Sequence, residues 1–302
     1  MGRHGQTCPC SGHQAIQTCT TRLQELLAWS REVLPYCGFG RREVKAGGGG
    51  GRHTVPLPVV ASRAALPTSV CHFDPHKFWS SSASLIYDRP DLCLRDQPGP
   101  APGRPGTMAS RSELLKLCLR WDGLNRLALF PEAEVNIDEV ANVFFVAKNQ
   151  EEDRQIIDRR VRNAKEIRYA NAMKACPQSS VFQGLYLKDD EILLGNTDDL
   201  ASYYNQFAGV TEERAKSTPV GIFRAEDFGG TEAMARLEKR LGRTPTGRLA
   251  ACFSGLAMGD LNAVDLAQEA HAGVLKSEGC LRPEETITRR LPPRPATAPF
   301  CL

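Results

Sequence analysis

Two segments rich in glycine and proline most constrain what this chain can fold into. Five consecutive glycines occupy residues 47–51, and the sequence PGPAPGRPG occupies residues 98–106. Segments of this composition leave the backbone entropy of folding uncompensated by burial. We therefore predict a low-complexity, largely disordered region at residues 1–107, a folded domain at 108–290 and an irregular proline-rich tail at 291–302. Within the first region, only residues 21–33 and 84–87 have the pattern of short ordered elements.

Charge is distributed unevenly between these regions. Residues 1–107 contain 12 Lys and Arg against 7 Asp and Glu, whereas the remaining residues contain 26 against 28. The predicted folded domain therefore has no basic excess, which argues against a broad basic groove for nucleic acid. The start of the sequence has no apolar run of signal-peptide or membrane-span length. We expect an intracellular protein, cytoplasmic or nuclear, that is not secreted and has no membrane partner.

Eleven cysteines in an intracellular chain are expected to be reduced thiols rather than a disulfide framework. Cys8, Cys10, His13 and Cys19 form a compact group with metal-ligand residue types. Its Cys-x-Cys spacing is tighter than that of the usual zinc finger, and no second Cys/His pair follows. Free thiols in a disordered tail are the preferred interpretation, and a zinc knuckle is the alternative.

The order of elements after residue 107 predicts an α+β fold. Ser110 followed by Glu113 is typical of a capping box, and apolar residues then recur at helical spacing. The apolar runs at residues 143–148 and 154–160, separated by the polar loop NQEED, predict a β-hairpin. A third strand is predicted at 191–196 and a helix at 262–275. This order is not the regular alternation of a parallel α/β sheet.

Asp198 and Asp199 follow the third predicted strand, where a carboxylate has two possible roles. It can accept hydrogen bonds from the free N–H groups at the start of a helix, which is the commoner role. It can also bind Mg²⁺, which takes few protein oxygens plus substrate phosphates. The preceding hairpin carries basic residues that can hold a triphosphate or can form a solvated surface, namely Lys148, Arg154, Arg159, Arg160 and Arg162.

Three segments in order resemble motifs of the reverse transcriptases encoded by retroelements. IIDRRVRN at residues 156–163 is similar to the fingers motif that ends in Arg and Asn. TDDLASYYNQF at 197–207 is similar to the palm motif with Asp, an aliphatic residue and an aromatic pair. LAMGDLNAVDLAQ at 256–268 is similar to the Leu-Pro-Met/Gln-Gly motif and its helical Gln. The resemblance implies the fingers and partial palm of a right-hand polymerase that extends a DNA primer on an RNA template with dNTPs and Mg²⁺.

The resemblance also implies a role for individual residues. Arg154 contacts the incoming triphosphate with Lys148 as its helper, and Arg160 is the structural arginine of the fingers motif. Asp199 is the metal ligand and Tyr204 the sugar-gating aromatic. A shift by one residue would make Asp198 the ligand and Tyr203 the gate.

The third motif supplies the remaining predicted contacts. Met258 lines the nucleotide pocket, Gly259 lies in the loop that contacts template and nucleotide, and Gln268 belongs to the following helix.

One part of the family pattern is missing. The last palm motif, an aromatic residue, any residue and then Asp-Asp, is absent, since no Asp follows Asp265. Two-metal phosphoryl transfer needs carboxylates that clamp both the attacking and the leaving oxygen. We therefore expect a truncated polymerase homologue that is inactive by itself. The alternatives are a nucleic-acid or protein binding module that uses the basic hairpin, and an α+β interaction protein in which the two aspartates are helix caps.

Overall fold

The computed structural model describes residues 55–70, 72–98, 100, 108–169, 200 and 202–279. Several sequence predictions fall outside these ranges: the helix at 21–33, the Cys8 group, the glycine run, the strand at 191–196, Asp198, Asp199 and the proline-rich tail. The described α-helices are α1 Ser81–Asp88, α2 Arg111–Asp122, α3 Arg160–Asn163, α4 Tyr203–Gln206, α5 Glu212–Lys216, α6 Glu232–Leu241 and α7 Ala263–Ser277. The described strands are β1 Leu127–Pro131, β2 Asn142–Ala147, β3 Asp153–Asp158, β4 Pro219–Arg224 and β5 Arg248–Phe253.

The described strands form two antiparallel sheets. One sheet has three strands in the order β1-β5-β4, and the other is the β2-β3 hairpin. Short 3-10 helices connect the elements at Ala61–Arg63, Pro75–Lys77, Pro90–Cys93, Glu132–Glu134, Ile137–Glu139 and Ala225–Phe228. The predicted hairpin is confirmed, with Val146 opposite Arg154 in its register. The predicted helix at 262–275 is confirmed as α7.

Strand β5 lies at the centre of the three-stranded sheet and is covered on both faces. Leu249, Ala251 and Phe253 belong to the larger apolar core, whereas Ala250 and Cys252 pack with Phe130 on the other face. This separation follows from the alternation of side chains along a strand. A strand buried on both faces has a continuous apolar sequence, as LAACF has here.

Helix α2 joins the two sheets through one tryptophan. The ring of Trp121 packs edge-on against Phe253 with 5.0 Å between ring centroids. Its Nε1–H donates to Gln155 Oε1 in β3 at 2.9 Å, so the buried indole has its hydrogen-bond partner. The predicted N-cap of this helix is confirmed, because Ser110 Oγ accepts from the Glu113 backbone N–H. The Glu113 carboxylate instead accepts from Ala61 N at 2.7 Å.

Residues 55–70 and 72–98, which we call the N-terminal strap, pack against the elements after residue 107, although they lie in the region for which disorder is predicted. Leu57 exchanges backbone hydrogen bonds with Phe145 at 2.7 and 2.9 Å and so extends the edge of β2. Arg63 pairs with Asp153 at 2.7 Å. Ala83 and Tyr87 of α1 are fully buried in a second core formed with α7. The strap is therefore part of the fold, and the glycine and proline runs around it gave no indication of its order.

The described residues thus have mixed helix and sheet content with antiparallel pairing, which confirms the α+β class. The sequence interpretation missed the three-stranded sheet and helix α6. In the ranges that the structure describes, none of the helices is long and apolar enough to cross a membrane.

Candidate functional site: a cleft between the hairpin, α4 and α7

The β2-β3 hairpin carries Arg154 on β3 and Lys148 directly after β2. Its turn is fixed by Asn149, whose Oδ1 accepts from the backbone N–H groups of Glu151 and Glu152 at 2.9 and 2.7 Å. Such side-chain acceptance from the following backbone is typical of Asn in turns. Lys148 Nζ pairs with Glu152 Oε2 at 2.9 Å, and both side chains are exposed. The Lys148 ammonium is therefore held at the hairpin turn by a weak, exchangeable ion pair.

The two arginines that follow β3 have different environments. Arg160, predicted as the structural arginine, has a side chain that is 56% exposed and pairs with Asp158 at 2.8 Å. The side chain of Arg159 is 1% exposed. Arg159 hydrogen-bonds Asp260, Glu166 and the carbonyl of Ser217. Arg159 therefore has the buried ionic contacts, whereas Arg160, for which a structural role is predicted, is mostly exposed and is not among the residues that line the cleft.

Asp260 is the centre of a buried ionic cluster. Its Oδ2 accepts from both Arg159 and Arg214, the latter at 2.7 Å. Burial alone would raise its pKa, but the two guanidinium groups hold the pKa of Asp260 below its ordinary value. A buried charge is tolerated only with such pairing, so this cluster fixes the position of the loop that carries Asp260 relative to β3.

Gly259 lies where that loop crosses β3. Met258 O accepts from Ile157 N at 3.0 Å. A Cβ atom on Gly259 would lie 2.2 Å from the carbonyl oxygen of Ile157, and the φ angle of +120° disfavours any other residue. Asn163 completes the contact: its Nδ2–H donates to Gly259 O at 2.8 Å, and its Oδ1 accepts from Leu261 N. Gly259 is therefore a packing glycine that joins two of the sequence motifs, and it does not line the cleft.

Helix α4 supplies an aromatic wall, which we define as Tyr203, Tyr204 and Phe207. Phe207 is fully buried, and its ring centroid lies 5.1 Å from that of Tyr203. Tyr203 donates its hydroxyl to Ala267 O of α7 at 2.8 Å. Burial, with a smaller contribution from Tyr204, raises the pKa of Tyr203 to about 12, and burial also raises the pKa of Tyr204. Both tyrosines are therefore neutral at physiological pH.

These elements enclose a cleft of about 590 Å³. Six of the residues predicted from the sequence line it, with Tyr203 as the alternative to Tyr204: Lys148, Arg154, Tyr203, Tyr204, Met258 and Gln268. Tyr203 and Tyr204 come from the second motif and Met258 and Gln268 from the third, whereas Lys148 and Arg154 lie in the hairpin N-terminal to the first motif. The fold brings them to one surface. Gly259 and Arg160 do not line the cleft. Asp198 and Asp199 lie outside the described residues, so the structure does not place them relative to it.

Several lining residues were not predicted. Phe253 and Leu256 form an apolar floor, Gln155 lies beside Arg154, and His271 lies one turn after Gln268 on α7. The signal for His271 was present, since residues three apart on a helix share a face. Phe253 gave no local signal, because β5 brings it to the cleft through sheet pairing.

The lining chemistry fits an elongated anion with a planar group. Lys148 and Arg154 supply positive charge at the hairpin, Tyr204 and Phe253 supply aromatic surface, and Gln268 supplies amide donors and an acceptor. The described lining contains no carboxylate. Likewise, the described residues contain no group of three or more His, Cys, Asp or Glu side chains that could hold a metal ion.

No family model, curated protein or solved structure matches this chain.

Proposed function

We propose that this chain is a reverse-transcriptase-like protein whose cleft binds a nucleoside triphosphate. The observation that carries the proposal is the convergence of Lys148, Arg154, Tyr204, Met258 and Gln268 on one cleft. Lys148 and Arg154 belong to the basic hairpin and the other three residues to two of the sequence motifs, and together they span more than a hundred positions of the sequence. A pocket with few convergent polar groups and an apolar floor is the usual form of a small-molecule site.

In this proposal the hairpin binds the polyphosphate. Arg154 offers planar paired donors that match phosphate oxygens, and Lys148 can leave Glu152 for the ligand because their ion pair is exposed. Tyr204 packs against the sugar, and Met258 lies against the base. Gln268 hydrogen-bonds the sugar or the base from α7.

Magnesium is the cofactor that the resemblance implies. The described lining offers cations and no carboxylate, so it fits the phosphates and not the metal itself. Asp199, with Asp198 as its neighbour, is the proposed metal ligand. When bound, Mg²⁺ would neutralise charge on the triphosphate. Because the sequence lacks the second Asp-Asp motif, we propose nucleotide binding without efficient primer extension by this chain.

Isothermal titration calorimetry with a dNTP and Mg²⁺ tests the binding proposal. Replacing Arg154→Gln removes a charge-assisted contact and is expected to weaken binding by about tenfold or more. Arg224→Gln is the matched control, because Arg224 is also an exposed arginine on a strand but lies outside this cleft. Equal affinities of the wild type and both variants, or no binding by any of them, would refute the proposal.

Primer extension on an RNA template tests the catalytic part separately. We expect no extension by the wild type or by the Asp198→Asn/Asp199→Asn variant. Extension by the wild type that disappears in this variant would contradict the proposed lack of catalysis.

A further inference from the structure

His76 of the N-terminal strap is held between two carboxylates. Its Nδ1 lies 3.0 Å from Asp74 Oδ1, and its Nε2 lies 3.0 Å from Asp88 Oδ1. A neutral imidazole can donate from only one of its nitrogens, whereas the imidazolium donates from both. The arrangement therefore matches the charged form of His76, which bridges the 3-10 helix Pro75–Lys77 to the end of α1.

The same part of the strap contacts the aromatic wall of the cleft. Phe73 accepts from Ala208 N at 2.8 Å and packs its ring edge-on against Phe207 at 5.5 Å. Trp79 stacks on Phe207 at 5.7 Å and donates its Nε1–H to the Leu266 carbonyl of α7 at 2.8 Å. Phe207 in turn packs against Tyr203. An unbroken series of contacts thus leads from the strap to the cleft.

The histidine itself is packed between the strap and the segment after α4. Its ring lies 5.6 Å from that of Trp79, and a Cβ atom added to Gly209 would lie 3.4 Å from its Cε1, so residue 209 is close to the ring. The hydroxyl of Thr211 donates to the Asp88 carbonyl at 2.8 Å. Loss of the His76 bridge would therefore loosen residues 207–211, which hold α4 in place.

We propose that Asp74, His76 and Asp88 form a charge-dependent latch that holds the aromatic wall in its binding-competent position, and that loss of the imidazolium charge releases it. The inference that release weakens nucleotide binding rests on the proposed function. The inference that release loosens residues 207–211 does not depend on any ligand.

The groups around His76 define the direction of the pH effect. Burial lowers the pKa of His76, but hydrogen bonds to Asp88 and Asp74 outweigh it and raise the pKa above the ordinary value of 6.5. Burial raises the pKa of Tyr87 on α1 to about 12, so its hydroxyl stays neutral, and Lys77 lies near Asp74. A histidine whose pKa is raised by folding stabilises the folded state fully at pH values below its unfolded-state pKa. This stabilisation is lost as pH rises through its folded-state pKa. The latch is therefore closed at pH values below the ordinary histidine pKa and opens as pH rises through the raised pKa of His76.

Hydrogen exchange measured by mass spectrometry on the full chain tests the latch without a ligand. Wild type, His76→Gln and the control His72→Gln, an exposed strap histidine, are compared at about pH 6, where an unperturbed imidazole is mostly charged. We expect residues 203–211 to lose protection in His76→Gln only. Equal protection in all three proteins would overturn the proposal.

Asp88→Asn separates a charged latch from a packing contact, since it keeps the imidazole and removes one carboxylate. We expect the pH at which residues 203–211 lose protection to move downward in this variant. An unchanged pH profile would overturn the proposal even if His76→Gln failed to fold.

Calorimetry with a dNTP at about pH 6 and about pH 9 should show several-fold weaker binding at the higher pH in the wild type and no such change in His76→Gln. Absence of dNTP binding at both values would refute the proposed function, while the exchange result would still decide the latch.

Discussion

Replacing Gly259→Ala should be among the most damaging small changes in this protein. The added Cβ would lie 2.2 Å from the Ile157 carbonyl oxygen and 3.2 Å from its carbon. Both atoms are backbone, so neither can rotate away. The loop would have to move from β3, with loss of the Ile157 N to Met258 O and Asn163 Nδ2 to Gly259 O hydrogen bonds.

The expected loss of stability is the sum of backbone strain at residue 259 and the weakened hydrogen bonds. A non-glycine residue at this φ of +120° costs about 1–3 kcal/mol of backbone strain. Two weakened hydrogen bonds cost about 1 kcal/mol each. We therefore expect Gly259→Ala to lower the free energy of unfolding by about 3–5 kcal/mol.

Gly242→Ala is the matched control, because Gly242 also has a positive φ, +67°, but nothing lies within 4 Å of its added Cβ. Its expected cost is about 1 kcal/mol. Urea unfolding followed by circular dichroism compares the two variants with the wild type. Equal costs for both variants would refute the close approach of this loop to β3.

Three further predictions concern other parts of the fold. Gly273→Ala should destabilise the protein by about 2 kcal/mol in urea unfolding, because the added Cβ would lie 2.2 Å from the Phe78 carbonyl oxygen. This cost exceeds the gain from the better helix propensity of Ala. A neutral or stabilising effect would contradict this contact. Trp121→Phe should lower the free energy of unfolding by about 2–3 kcal/mol in the same assay, because ring volume is lost and the Gln155 amide loses its partner. A cost below that of ordinary surface substitutions would contradict the buried packing of Trp121. The lowered pKa of Asp260 gives stability that is present above its ordinary value of 3.8 and is lost as pH falls through the folded-state value. As pH is lowered, the free energy of unfolding should therefore fall more steeply for the wild type than for Asp260→Asn. Parallel curves would contradict the ionised, paired state of Asp260.

Elements encoded by local sequence were the ones that could be predicted. The β2-β3 hairpin has two apolar runs on either side of a polar turn, and α2 begins at a Ser followed three residues later by a Glu. The β1-β5-β4 sheet was missed because its central pairing joins residues 127–131 to 248–253, and no local pattern encodes contact at that separation. The order of the strap likewise comes from packing against α7 and β2 rather than from its own composition.

The candidate site was predicted in part for the same reason. Lys148 and Arg154 follow directly from the hairpin, whose register places Arg154 opposite Val146, two residues before Lys148. The choice between Arg159 and Arg160 could not be made from sequence, because burial decides it and both residues are arginine. His271 lines the cleft because it lies three residues after Gln268, on the same face of α7.

Photo-crosslinking with an azido-dATP probe, followed by peptide mapping, tests the central claim most directly. If the cleft binds a nucleoside triphosphate, the label should be found on peptides containing Tyr204 or Met258, and unmodified dATP should compete it away. Label found only on peptides outside the cleft, or label that dATP does not reduce, would contradict the claim.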